Sequence, residues 1–188
     1  DQHAFCGTTT GDVLCAQVKG NIKNLKLAGP NKLLPQGVRS IEFSSKGNIV
    51  LGSGDGTLAV LSGSDLRRLK TVQLMGGITS ITATPSGGYY CGTNQSVIYY
   101  VNQKLEPTLV STCHSKRIND VAYPKGTSEI IATCSVNDIR LWNAYKGREL
   151  VRIQLPNLEC NCVCFSNDGS QVLSGWSDGR IRAFGPQT

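Results

Sequence analysis

Short runs of alternating apolar and polar residues recur along the chain, each bounded by turn residues, which is the pattern of half-buried β-strands. The clearest stretch runs from Cys113 to Asn143. Ile118, Val121 and Tyr123 form one run, and a turn at Pro124-Lys125-Gly126 follows. A second run covers Ile130-Ile131-Ala132-Thr133-Cys134, and a polar turn at Asn137-Asp138 leads into a third, Ile139-Arg140-Leu141-Trp142. Glu149–Leu155 closes the unit as a fourth run. No segment sustains a 3.6-residue period, so almost no helix is expected.

Four other stretches echo this unit. Val38, Ile78, Ile118 and Cys160 each open a first run, at steps of 40, 40 and 42 residues. The second runs end at Gly7, Gly52, Gly92, Cys134 and Gly175, at steps of 45, 40, 42 and 41. The turn after the second run holds Gly11-Asp12, Gly54-Asp55-Gly56 or Ser177-Asp178-Gly179. Asp-Gly between apolar runs is a hairpin signal, because Gly takes positive φ without a Cβ clash. This places Asp55, Gly56, Asp178 and Gly179 at hairpin tips. Three or four short strands repeating every 40–45 residues or so mark a β-propeller. The units are expected near 1–32, 33–75, 76–112, 113–156 and 157–188, with Ala28–Gly37 as a connecting loop and 102–112 as the place for any boundary between two propellers.

Length alters this picture. The chain has 188 residues, whereas a seven-bladed ring at this period needs roughly 290. The expected fold is all-β: four to five blades of a larger propeller, seven-bladed or one of a tandem pair. Cut from its ring, such a piece exposes sheet edges and is expected to associate or aggregate.

Composition adds less. A hydrophobic content of 39% with 17% charged residues is that of a globular chain. No apolar run approaches the length of a membrane span, which argues against a membrane partner. Net charge is +6, spread along the chain without a block of like charges. Arg67, Arg68, Lys70, Lys116 and Arg117 are candidate contacts to an acidic partner, against the plainer reading of a solvated surface. Aromatic and basic residues do not interleave as single-strand nucleic-acid binders require, which argues against that partner. Eight scattered cysteines, five of them at apolar strand positions, fit reduced core residues better than a disulfide framework.

Motifs that invite chemistry are weak. Cys160-x-Cys162-x-Cys164 puts three thiols on one strand face, too regularly placed to wrap one ion, and is expected to pack in the core. Gly52-Ser53-Gly54-Asp55-Gly56 lacks the Gly-Lys-Ser/Thr ending of a phosphate loop. Asn94-Gln95-Ser96 fits the N-glycosylation motif, but the cysteine pattern argues against a secreted chain. No catalytic triad, paired-carboxylate site, metal set or cofactor fingerprint is found, so neither an enzyme nor a cofactor is expected.

Taken together, Phe5-Cys6-Gly7-Thr8-Thr9-Thr10-Gly11-Asp12, Gly76-Gly77-Ile78-Thr79-Ser80-Ile81, Ala132-Thr133-Cys134, Asp138-Ile139-Arg140-Leu141-Trp142, Arg148-Glu149-Leu150 and Trp176-Ser177-Asp178-Gly179-Arg180-Ile181-Arg182-Ala183-Phe184 resemble the WD40-repeat family, and within it the members associated with cilia and flagella. In that family His114, Thr133 and Trp142 stand where a His–Ser/Thr–Trp network lies, with Asp138 near its acidic member although the turn is one residue shorter. Buried Trp N–H and Thr hydroxyl groups need partners, and a His ring held by Asp supplies them. The resemblance implies a non-enzymatic two-propeller scaffold in the axoneme, on the inner wall of the doublet microtubules, with tubulin and other axonemal proteins as partners. The alternative is a general cytoplasmic WD40 interaction hub or adaptor.

Overall fold

The computed structural model describes residues 3–17, 26–111, 114–125 and 129–185. Among these every regular element is a strand, and every strand pairing is antiparallel. Unit one holds β1 (His3–Gly7), β2 (Asp12–Gln17) and β3 (Lys26–Lys32). Unit two holds β4 (Val38–Phe43), β5 (Ile49–Ser53), β6 (Thr57–Leu61) and β7 (Arg68–Gln73). Unit three holds β8 (Ile78–Ala83), β9 (Tyr89–Thr93), β10 (Ile98–Val101) and β11 (Pro107–Ser111). Then come β12 (Asp120–Ala122), β13 (Ile130–Cys134), β14 (Val136–Asn143), β15 (Arg148–Phe165), β16 (Val172–Trp176) and β17 (Ile181–Phe184). Each sheet is a meander in chain order, every strand pairing with its neighbours in sequence.

Three elements differ from the sequence expectation. Gly29-Pro30-Asn31, expected in a loop, lies inside β3, where the register with β2 shifts between Val13 and Cys15. A bulge on an outer strand is a place that tolerates proline, because its missing N–H breaks no ladder. The fourth and fifth units are not separated by a loop. β15 runs through both, pairing with β14 from Arg148 to Gln154 and with β16 from Cys160 to Phe165. The segment between stays extended around Asn157, whose φ of 64° turns the strand, and Glu159 still pairs with Val136. The polar turn between β13 and β14 is centred one residue early, on Val136-Asn137, the first two residues of β14, with Asn137 at φ 72° and Asp138 past the turn. Val18, Asn24, Leu25, Thr112, Cys113, Gly126 and Pro186 lie outside the described residues.

The core lies between units. β5 is buried at every position because Ile49 and Leu51 face unit one while Val50 faces unit three. This is the two-residue alternation of a strand sandwiched on both faces. Four clusters fill the four gaps in turn, the third around Tyr90, Ile118, Val121 and Trp142, the fourth around Cys134, Ile139, Cys160 and Val163. The opening strands β4, β8, β12 and the second half of β15 stand side by side along a common axis. The result is the curved array of a partial β-propeller.

Two devices set the spacing at that axis. β4, β8 and the second half of β15 each carry a bulge just after the first residue, at Val38/Ser40, Ile78/Ser80 and Cys160/Cys162. A bulge inserts one residue and inverts the alternation that follows. Apolar residues therefore face the preceding unit at Val38 and Ile41, Ile78 and Ile81, and Cys160 and Val163, and Ile118 and Val121 face it at the same spacing in unit four. The second device is a glycine at the end of the second strand. A Cβ on Gly52 would lie 2.5 Å from Ile78 Cγ2, and one on Gly92 would lie 2.7 Å from Ile118 Cγ2. One on Gly7 would overlap Val38. Where the second strand ends in Cys134 instead, the next unit opens on the smaller Cys160.

Candidate functional site

The most connected polar cluster sits inside unit four. β14 carries Trp142 and Asp138, β13 carries Thr133, and the segment before β12 carries His114. Trp142 Nε1–H donates to Thr133 Oγ1 at 2.8 Å. Thr133 Oγ1 and His114 Nε2 are 2.7 Å apart, and His114 Nδ1 and Asp138 Oδ1 are 2.9 Å apart. Because the indole can only donate, the threonine hydroxyl is free to donate onward to Nε2, which makes Nδ1–H the donor to the carboxylate. Every member is satisfied in that arrangement.

Asp138 does more than hold the histidine. Its Oδ2 accepts from Arg140 Nε and from Arg152 Nε, both at 3.0 Å, and Arg140 Nη1 reaches Glu149 at 2.6 Å. Burial works to raise the Asp138 carboxyl, but the His114 and Arg140 contacts outweigh it and hold its pKa below the usual carboxylate range. Arg140 is itself raised: burial opposes this, and the Glu149 and Asp138 contacts prevail. The hairpin before Asp138 is one residue shorter than its counterparts: Ser135 N–H meets Asp138 O, whereas Thr93 meets Val97 and Trp176 meets Arg180. The carboxylate nonetheless reaches the ring. The His114 side chain is 0% exposed, with both nitrogens engaged, so it presents nothing to a substrate.

The turn residues hold local geometry. Gly56 takes φ 90° and donates to Ser53 O, while Asp55 Oδ1 accepts from Thr57 N–H at 2.9 Å. Gly179 takes φ 75°, and Asp178 binds Arg182 through both oxygens at 3.0 and 2.7 Å. The Arg182 hydrogen bonds draw Asp178 down to about 2.

The candidate contact residues do not share one element. Arg67, Arg68 and Lys70 are exposed along and just before the outer strand β7, and Arg68 donates to Leu33 O. Lys116 and Arg117 are exposed before β12, where Arg117 pairs with Glu159 at 3.1 Å. Charged side chains on β7 also blunt an outer strand against pairing with other chains.

Three features were missed from sequence. The three thiols of Cys160-x-Cys162-x-Cys164 do not share a buried face. Cys160 is buried, while Cys162 and Cys164 are exposed, because the bulge after Cys160 hands the core position to Val163. Among the described residues no three His, Cys, Asp or Glu side chains gather as a metal site. Second, polar side chains at 40-residue spacing tie the units together. Ile81 N–H donates to Ser40 Oγ, Val121 N–H to Ser80 Oγ and Val163 N–H to Asp120 Oδ2, and Ser80 Oγ donates to Asp120 Oδ1 at 2.6 Å. The spacing of Ser40, Ser80 and Asp120 was the available signal. Third, unit five buries Trp176, whose Nε1–H donates to Ser174 Oγ at 2.8 Å, with Arg182 over the ring.

Repeated four-stranded meanders, bulged inner strands, tight glycine contacts and a buried Trp–Thr–His–Asp chain define a WD-repeat protein. The family model for the WD domain, G-beta repeat (WD40), matches residues 30–65 and 153–184, so the chain carries WD40 repeats. Its similarity is more specific than that. It is 42% identical over 191 residues to cilia- and flagella-associated protein 52 of Bos taurus, covering 100% of this chain and 30% of that protein. The protein of the same name from Chlamydomonas reinhardtii is 43% identical over 194 residues, with 100% and 31% covered. That from Homo sapiens is 40% identical over 191 residues, with 100% and 30% covered. The chain thus spans less than a third of the length of these relatives.

Proposed function

We propose that this chain is part of a WD-repeat protein of cilia and flagella that acts as a non-enzymatic scaffold. The observation that carries the reading is identity of 40–43%, along the whole chain, to proteins named cilia- and flagella-associated protein 52 from Homo sapiens to Chlamydomonas reinhardtii. The finer reading places the protein on the inner wall of the doublet microtubules, where it binds tubulin and other axonemal proteins and stabilises the axoneme. Two physical features support it. Units stitched through Ser40, Ser80 and Asp120 form a stiff frame that holds loops in fixed positions. A net charge of +6, with Arg67, Lys70 and Lys116 exposed, complements an acidic polymer surface.

Sequential extraction of isolated cilia tests the reading. The full-length protein is followed by blotting through detergent, then high salt, then conditions that dissolve tubulin. Release only in the last step is expected, since screened surface contacts are lost in high salt. Release by detergent or moderate salt would instead identify a soluble interaction hub.

A further inference from the structure

Units three and four leave between them a groove of about 420 Å³ walled by tyrosines. Tyr90 on β9 forms its floor, with its hydroxyl donating to Ala144 O at 2.8 Å. The Tyr90 ring stacks on Tyr123, with centroids 6.3 Å apart and planes at 11°, and tilts against Tyr100 on β10, with centroids 5.1 Å apart. Leu109 on β11 forms one rim and the turn bearing Tyr145 and Lys146 forms the other. Tyr145 is 77% exposed and Leu109 55%. These are large apolar groups held at the surface beside a packed aromatic floor. Among the described residues no carboxylate lines the groove, and Lys146 is its charged group.

We propose that this groove docks an extended, proline-containing segment of a partner protein that carries an acidic residue. A polyproline II segment makes no internal hydrogen bonds and presents rigid apolar rings, so it suits a surface where the exposed Tyr145 ring and the half-buried Tyr100 and Tyr123 rings lie over a buried aromatic floor. Its proline rings pack on tyrosine faces, and its preset backbone loses little entropy on binding. Lys146, unopposed within the groove, selects the acidic flank. A strand added along the outer edge of β11 would need neither the tyrosines nor proline, and that difference separates the two occupants. The chemistry of the groove is independent of where in the cell the protein works.

The test is fluorescence polarisation with the full-length protein and a fluorescein-labelled proline-rich peptide bearing one glutamate. Saturable binding is expected, lost when the prolines are replaced by alanine. Tyr145→Ala is expected to weaken binding about tenfold, the loss typical of an exposed aromatic anchor. Because Tyr145 is exposed, its truncation is expected to leave the melting temperature unchanged. Lys146→Glu is expected to weaken the glutamate peptide more than its glutamine counterpart. The proposal is overturned by absence of binding, by equal affinity of the alanine peptide (strand addition on β11), or by indifference to both variants.

Discussion

At the scale of single residues, the chain Trp142–Thr133–His114–Asp138 shows how a buried polar group is made tolerable. Thr133 stands at the centre, accepting from one ring and donating to the other. Thr133→Val keeps the shape but leaves the Trp142 N–H and His114 Nε2 buried without partners. Each orphan costs about 1–3 kcal/mol, so a loss of about 2–6 kcal/mol is expected in urea denaturation, most of it restored by Thr133→Ser. Asp138 adds a pH dependence. Its folded pKa is depressed, so its stabilising contribution is complete above the unfolded value near 3.9 and is lost as pH falls through the folded value. Asp138→Asn is expected to be less stable at neutral pH and to show a flatter loss below about pH 4. A denaturation series from pH 6 to the acid limit of folding, on both proteins, reads the difference. His114, Thr133 and Trp142 were grouped from sequence through the resemblance to the WD40-repeat family, with Asp138 near the acidic position despite a turn one residue shorter. Arg152 was not, because its contact with Asp138 is made across the β14–β15 ladder and leaves no local pattern.

At the scale of strands, the regularities that matter are the places where alternation breaks. The bulged strands β4, β8 and the second half of β15 show apolar residues at i and i+3, as in Ile78 and Ile81, where a flat strand would show i and i+2. The bulge explains the spacing and also why Cys162 and Cys164 face away from the core. The glycine that ends the second strand is a matter of space. Gly92→Ala would push a methyl group against Ile118 Cγ2 and drive units three and four apart. A cost of about 1–3 kcal/mol is expected from such overpacking. Combining it with Ile118→Val, which trims the opposing side chain, is expected to recover part of that loss. A thermodynamic cycle of the four proteins measures the coupling, and strict additivity would show that the contact does not set the spacing.

At the scale of the molecule, stability is shared between neighbours. Among the described residues no unit has a core of its own: each apolar cluster is built from two adjacent units. The face of unit five that carries Cys162 and Cys164 lies open, and the outer strand β17 holds Ile181 at 82% exposure. An outer strand with an exposed apolar residue invites pairing with another copy. The 188-residue chain by itself is therefore expected to self-associate. Light scattering after size exclusion checks this, and a monodisperse monomer that melts in one cooperative step would contradict it.

Strand content, hairpin positions and the repeat length were determined by the sequence alone, because they depend on local alternation and on turn residues such as Asp55-Gly56 and Asp178-Gly179. The grouping of His114, Thr133 and Trp142 came from the resemblance to the WD40-repeat family, because no other unit of this chain carries the set. Only the tertiary structure decided which neighbour each face meets. The pairing of Gly92 with Ile118, the bond from Ser80 to Asp120 and the tyrosine groove all join residues of different units. Such contacts arise from how twisted sheets stack around an axis, and no window of sequence short enough to show a strand can contain both partners.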